Sequence, residues 1–130
     1  MIFSLLIDMD IQELTREMHN FVRAMGWYGP DSQRPQTPRN LAVSLNLEAS
    51  EVLEHFQWKD SPIDQDALAG ELADVALYLL QLASLSGIDL EQAILTKLKI
   101  NYQRTWDTTS PDSQNETPGT VHHSPPNPST

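Results

Sequence analysis

Cysteine is absent from the 130-residue chain, which excludes disulfides and thiolate metal sites. That absence fits a reducing compartment, and a cytoplasmic location is the expectation. Basic residues are scarce: eight Lys and Arg stand against eighteen Asp and Glu, a formal charge of −10. No basic cluster is present, so a nucleic acid polymer is not an expected partner. An acidic protein that handles phosphates needs a cation between itself and its ligand. Nothing reads as approaching the ~20-residue apolar stretch of a membrane span, and no membrane partner is expected. The opening MIFSLLI lacks a basic n-region and a small-residue cleavage site, and it runs into Asp8, so it does not read as a signal peptide. Either translation begins at Met9 or residues 1–9 form an N-terminal arm. Strand-like alternation and internal repeats are also missing.

What remains is helical. Asp10 with Glu13 makes a capping-box pattern, and Ile11, Leu14, Met18, Phe21, Val22 and Met25 follow at helical spacing before Gly26. A Gly- and Pro-rich loop covers residues 27–37. Thr37-Pro38 then offers an N-cap followed by proline at the first helical position, opening a helix to about Trp58 with Leu41, Leu45, Ala49, Val52, Leu53 and Phe56 on its apolar face. A third helix is predicted from about Asp64 to Ser86, with Gly87 as its stop. It is apolar on most sides after Asp74, which points to burial on more than one face and hence to a second subunit. A fourth helix runs from an Asp89 cap to about Trp106. Residues 108–130 are dominated by Pro, Ser, Thr and Asn and carry one aliphatic residue, Val121. This reads as a disordered tail, in which His122 and His123 make a poor metal site. The expected organisation is an arm at 1–9, one helical domain at 10–107 and a tail at 108–130.

The polar residues that interrupt the apolar pattern carry the chemistry. Glu48 and Glu51 lie three apart in LEASEVLEHFQW; Glu71 and Asp74 lie three apart in GELADVALYLL. Residues at i and i+3 share a helix face, so each helix can present two carboxylates one turn apart. Their neighbours are apolar rather than charged, and burying four unpaired anions is costly. Mg²⁺, a hard cation that takes carboxylate oxygen and keeps room for water and phosphate, would neutralise them. Spacing alone leaves solvated helix faces open as the other reading. Zinc lacks Cys and a convergent His set. A di-iron bundle would need Glu-x-x-His on two helices, whereas His55 lies four residues after Glu51 and the third helix has no histidine.

Two segments, TPRNLAVSLNLEASEVLEHFQWK and GELADVALYLLQLASLSGIDLEQAILTKLKINYQRTW, resemble the MazG-like all-α nucleotide pyrophosphohydrolases, nearest to the small single-domain dCTP pyrophosphatases. The resemblance covers roughly residues 10–106 and implies an all-α four-helix bundle completed by oligomerisation, as a homodimer or a dimer of dimers. It implies Mg²⁺-dependent hydrolysis of a nucleoside triphosphate to the monophosphate and pyrophosphate, with dCTP or a modified dCTP as substrate and nucleotide-pool house-cleaning as the role. By position, Glu48, Glu51, Glu71 and Asp74 match the metal-binding and catalytic carboxylates, and one of them, Glu51 for choice, would activate water. Trp27 and Trp58 match tryptophans near the base. Tyr78, Lys97 and Asn101 match sugar-, phosphate- and base-contacting residues. Core packing is the bland reading of Trp27, Trp58 and Tyr78, as a surface charge is for Lys97. Arg39 and Lys59 are weaker phosphate candidates. Two positions depart from the pattern: Met18 stands where relatives can carry a histidine, with His19 one residue later, and Gly70 replaces a better helix former. The competing class is a non-catalytic helical module that dimerises or senses nucleotides.

Overall fold

The computed structural model describes residues 8–61 and 64–104. They form four α-helices: α1 (Ile11–Ala24), α2 (Pro38–Glu54), α3 (Gln65–Leu85) and α4 (Leu90–Gln103). No strand occurs among the described residues. The tail, Trp106 and most of the N-terminal arm lie outside them.

Each helix begins where a side chain can take an orphan backbone donor. The Asp10 carboxylate accepts from the Glu13 amide at 2.8 Å, and the Glu13 carboxylate accepts from the Asp10 amide at 2.8 Å, closing the reciprocal box. Thr37 accepts from the Asn40 amide, Asp64 from Asp66 and Ala67, and Asp89 from Gln92. Two helix ends turn on glycines of positive φ, Gly26 at 74° and Gly87 at 70°, a conformation that side chains with a Cβ resist. Beyond Gly87 the Ile88 amide donates back to the Ala83 carbonyl, the wide ring that closes such ends.

α2 stops four residues short of the expected Trp58. The amides of His55, Phe56 and Gln57 donate to carbonyls three residues back. The helix therefore tightens into successive turns instead of continuing, and Trp58 is left 87% exposed. Leu53 and Phe56, assigned to the apolar face from spacing, are exposed as well.

α3 is the hub. α2 packs along it most extensively, α1 next, and α4 least. The core is small: Met18 and Val22 of α1, Leu41 of α2, and Leu68 and Ala83 of α3. α4 buries no residue. Much of α3's apolar surface, including Leu72, Leu77 and Leu79, faces outward in the single chain. α3 is also long and apolar enough to cross a membrane by length and composition, contrary to the expectation that no segment would be. Its midpoint, however, carries the acidic residues that define the site.

Candidate metal centre and nucleotide site

α2 and α3 run side by side, and their carboxylates meet between them. One oxygen each from Glu48, Glu71 and Asp74 lies within 4.8 Å of the others. Glu51, one turn after Glu48 and solvent-exposed, lies beside them and acts on the carboxyls of both Glu48 and Glu71. The two i,i+3 pairs thus converge into one four-carboxylate cluster.

Its electrostatics are unbalanced. Desolvation is the largest cause that pushes the Glu48 carboxyl up to about 7, followed by its hydrogen bond to Glu51 and the charges of Glu51, Asp74 and Glu71. Glu71 is raised chiefly by its hydrogen bond to Glu51 and then by desolvation, with His55 opposing. His55 supplies the nearby cationic option: its Nε2 lies 3.9 Å from Glu71 Oε1. The second oxygen of Glu48 is buried without a hydrogen-bond partner. A carboxylate oxygen left so costs free energy, and a hard divalent cation bound by Glu48, Glu71 and Asp74 would satisfy it. The donor set is all oxygen, which suits Mg²⁺, Mn²⁺ or Ca²⁺ over zinc.

The other candidate residues are more dispersed. Tyr78 is half-buried on α3, one turn beyond Asp74. Trp58 is exposed where the chain leaves α2. On α4, Lys97 is exposed and Asn101 half-buried. Asn101 lines a shallow hollow with Leu98, Tyr102 and Arg104. Trp27 is half-buried in the α1–α2 loop and does not offer a bare ring. The Arg34 guanidinium sits 5.3 Å from the centroid, and Phe21 packs perpendicular to the indole at 5.6 Å. Both are ordinary aromatic partnerships. Trp27, Met25, Pro30 and Arg34 border an open cleft of about 450 Å³.

Two features are not legible from spacing. His55 lies four residues after Glu51, yet the side chain it approaches is Glu71 on the neighbouring helix. The second is a polar network around Gln81. Its signal was a lone glutamine in the run VALYLLQLASL, seven residues after Asp74.

The MazG-like family model matches residues 43–115. dCTP pyrophosphatase 1 of Mus musculus is 39% identical over 83 residues, covering 57% of this chain and 49% of that protein. The Homo sapiens protein of the same name is 33% identical over 111 residues, covering 78% of this chain and 62% of that protein. A crystal structure of a pyrophosphatase from Archaeoglobus fulgidus superposes with a TM-score of 0.58 at 28% identity, over 77% of this chain and 96% of that one. The aligned parts thus span from just under half to just under two thirds of these mammalian relatives. An all-α fold with a carboxylate cluster between two helices defines the class, and the chain belongs to the MazG-like family.

Proposed function

We propose that the chain is a Mg²⁺-dependent nucleoside triphosphate pyrophosphohydrolase, producing the monophosphate and pyrophosphate, with dCTP or a modified dCTP as substrate. The observation that carries the reading is the orphaned, buried oxygen of Glu48 beside Glu71 and Asp74. Four carboxylates with one weak cationic neighbour are worth keeping together only if something positive joins them. The names of the relatives support the reaction class.

Glu48, Glu71 and Asp74 would hold the ion, with Glu51 beside them. Bound there, Mg²⁺ would neutralise phosphate oxygens and acidify coordinated water. The exposed Glu51 carboxylate would accept a proton from the attacking water, whose oxygen forms the new P–O bond as the bridging bond to the pyrophosphate breaks. Tyr78, one turn further along α3, is within the reach of a substrate seated on Asp74. Trp27, Trp58, Lys97 and Asn101 would contact base, sugar and phosphate. Because α4 packs least on its own chain, Lys97 and Asn101 would serve a pocket completed by a second copy. A cytoplasmic homodimer or dimer of dimers, without nucleic acid or membrane partners, completes the reading.

The test is a hydrolysis screen of standard and modified nucleoside triphosphates, with Mg²⁺ and with chelator, using Glu51→Gln as control. Release of monophosphate and pyrophosphate that needs both Mg²⁺ and Glu51 supports the reading and ranks the bases. Nucleotide binding without turnover would favour a sensing module instead, and neither binding nor turnover a plain dimerisation module.

A further inference from the structure

The polar residues of α3 lie in one stripe. Glu71, Asp74, Tyr78, Gln81 and Ser84 follow at spacings of three and four, which places them on one side of the helix. The first two enter the carboxylate cluster. The last two enter a separate network that the metal chemistry does not use.

Gln81 is the buried polar residue of the described core, 3% exposed. Its side-chain nitrogen donates to the Tyr28 hydroxyl at 3.2 Å and to Gln36 Oε1 at 2.8 Å. The Tyr28 oxygen also lies 2.6 Å from His19 Nδ1, and His19 Nε2 lies 2.7 Å from Ser84 Oγ. The Tyr28 oxygen accepts from Gln81, and the tautomer of His19 sets which way the bonds to Tyr28 and Ser84 run. Burial, with the positive charge of Arg23, lowers the His19 pKa and favours the neutral ring.

Both amide hydrogens of Gln81 are therefore given to the α1–α2 loop, one near each of its ends. A leucine would fill the same place without desolvating an amide. What the amide adds is a fixed loop, carrying Trp27 beside Tyr28, with Arg34 over the indole and both bordering the cleft of about 450 Å³. Seven helical residues separate Gln81 from Asp74, an advance of about 10 Å along the same face. With phosphates at the carboxylates, an extended nucleotide directed along this stripe brings its base toward the fastened loop.

We propose that Gln81 is a positioning residue for base selection: through Tyr28 and Gln36 it fixes the Trp27–Arg34 loop as the wall against which the nucleoside end of the substrate is sorted. This rests on the pyrophosphohydrolase reading above. A loop held in one geometry discriminates between bases; a loosened one accepts them more evenly.

The experiment compares wild type, Gln81→Leu and the milder Tyr28→Phe, which deletes one hydroxyl, across four dNTPs with Mg²⁺. Leu68→Ala serves as a control that weakens the core elsewhere. The expected result is a KM raised about fivefold or more in both loop variants with kcat within about twofold, the signature of lost binding rather than lost chemistry. The spread of kcat/KM among the bases should narrow in them and stay as wild type in Leu68→Ala. An unchanged KM and base spread in folded Gln81→Leu and Tyr28→Phe would overturn the proposal, as would a uniform fall in kcat for every base. A folded wild type that hydrolyses no nucleoside triphosphate would instead overturn the pyrophosphohydrolase reading, and the proposal with it.

Discussion

Glu48 on α2 and Glu71 on α3 belong to different helices, yet each offers an oxygen within 4.8 Å of the other and of Asp74. Three like charges so close weaken the fold unless a cation joins them. Glu48→Gln should therefore act in two directions. Without metal at mildly alkaline pH, the variant should melt at a higher temperature than wild type, because one repelling charge is gone. With Mg²⁺, wild type should gain stability by mass action, about 2.7 kcal/mol at a hundredfold excess over Kd, and the variant should gain little. Hydrolysis should fall by at least about a hundredfold, the scale of losing transition-state charge stabilisation. Melting curves with Mg²⁺ or chelator check the first two outcomes. A metal response preserved in Glu48→Gln would place the ion elsewhere.

The pH dependence follows from the raised Glu48 carboxyl, pushed up to about 7 from its ordinary 4.5 by desolvation and by Glu51. A carboxyl raised in the folded state binds its proton more tightly there than in the unfolded chain. Its stabilising contribution is complete below 4.5 and is lost as pH rises through about 7 in the metal-free protein. Mg²⁺ must displace that proton, so apparent affinity should strengthen as pH rises through the same region. Titration calorimetry in two buffers of different ionisation enthalpy, at about pH 6 and about pH 8, should show greater proton release at the lower pH. Equal release at both would mean that Glu48 is already ionised.

Gly70 sits inside α3, and a Cβ built on it meets no atom within 4 Å. Glycine costs about 1 kcal/mol against alanine in a helix interior. Gly70→Ala should therefore stabilise the protein by about that amount and raise Tm by roughly 4–8 °C, the scale for a domain of this size. A lower Tm would show that a neighbouring chain approaches α3 at this position.

Local chemistry was the most legible part of the sequence. Caps at Asp10, Thr37 and Asp89 and stops at Gly26 and Gly87 depend on the few residues around them, and they fall where spacing put them. The pairing of Glu48 and Glu51 with Glu71 and Asp74 was legible for a related reason, since an i,i+3 pair fixes a face. What stayed hidden depends on partners distant in sequence. The end of α2 at Glu54 is made by backbone bonds three residues back, with no proline or glycine to announce it. His55 meets Glu71, not Glu51, because of how two helices pack. Gln81 looked like a polar interruption of an apolar run until the loop carrying Tyr28 and Gln36 folded over it. The apolar face assigned to Leu53 reads as core by periodicity, and in a single chain it is surface.

That surface sets the final prediction. α3 exposes Leu72, Leu77 and Leu79, and α4 exposes Ile94, Leu95, Leu98 and Ile100, with no α4 residue buried. Apolar side chains displayed this densely on two neighbouring helices are the kind of surface that a chain-to-chain interface would cover. Light scattering should find a dimer or a dimer of dimers at micromolar concentration. Leu98→Glu should shift the population to a smaller species, since an unpaired carboxylate buried between chains is costly. If the pocket draws Lys97 and Asn101 from a second copy, the same variant should lose hydrolysis in step with dissociation, and raising protein concentration should restore both together. Dissociation with full activity would make each chain's pocket self-contained. A wild type that is monomeric throughout would leave the faces of α3 and α4 to be covered by some other partner.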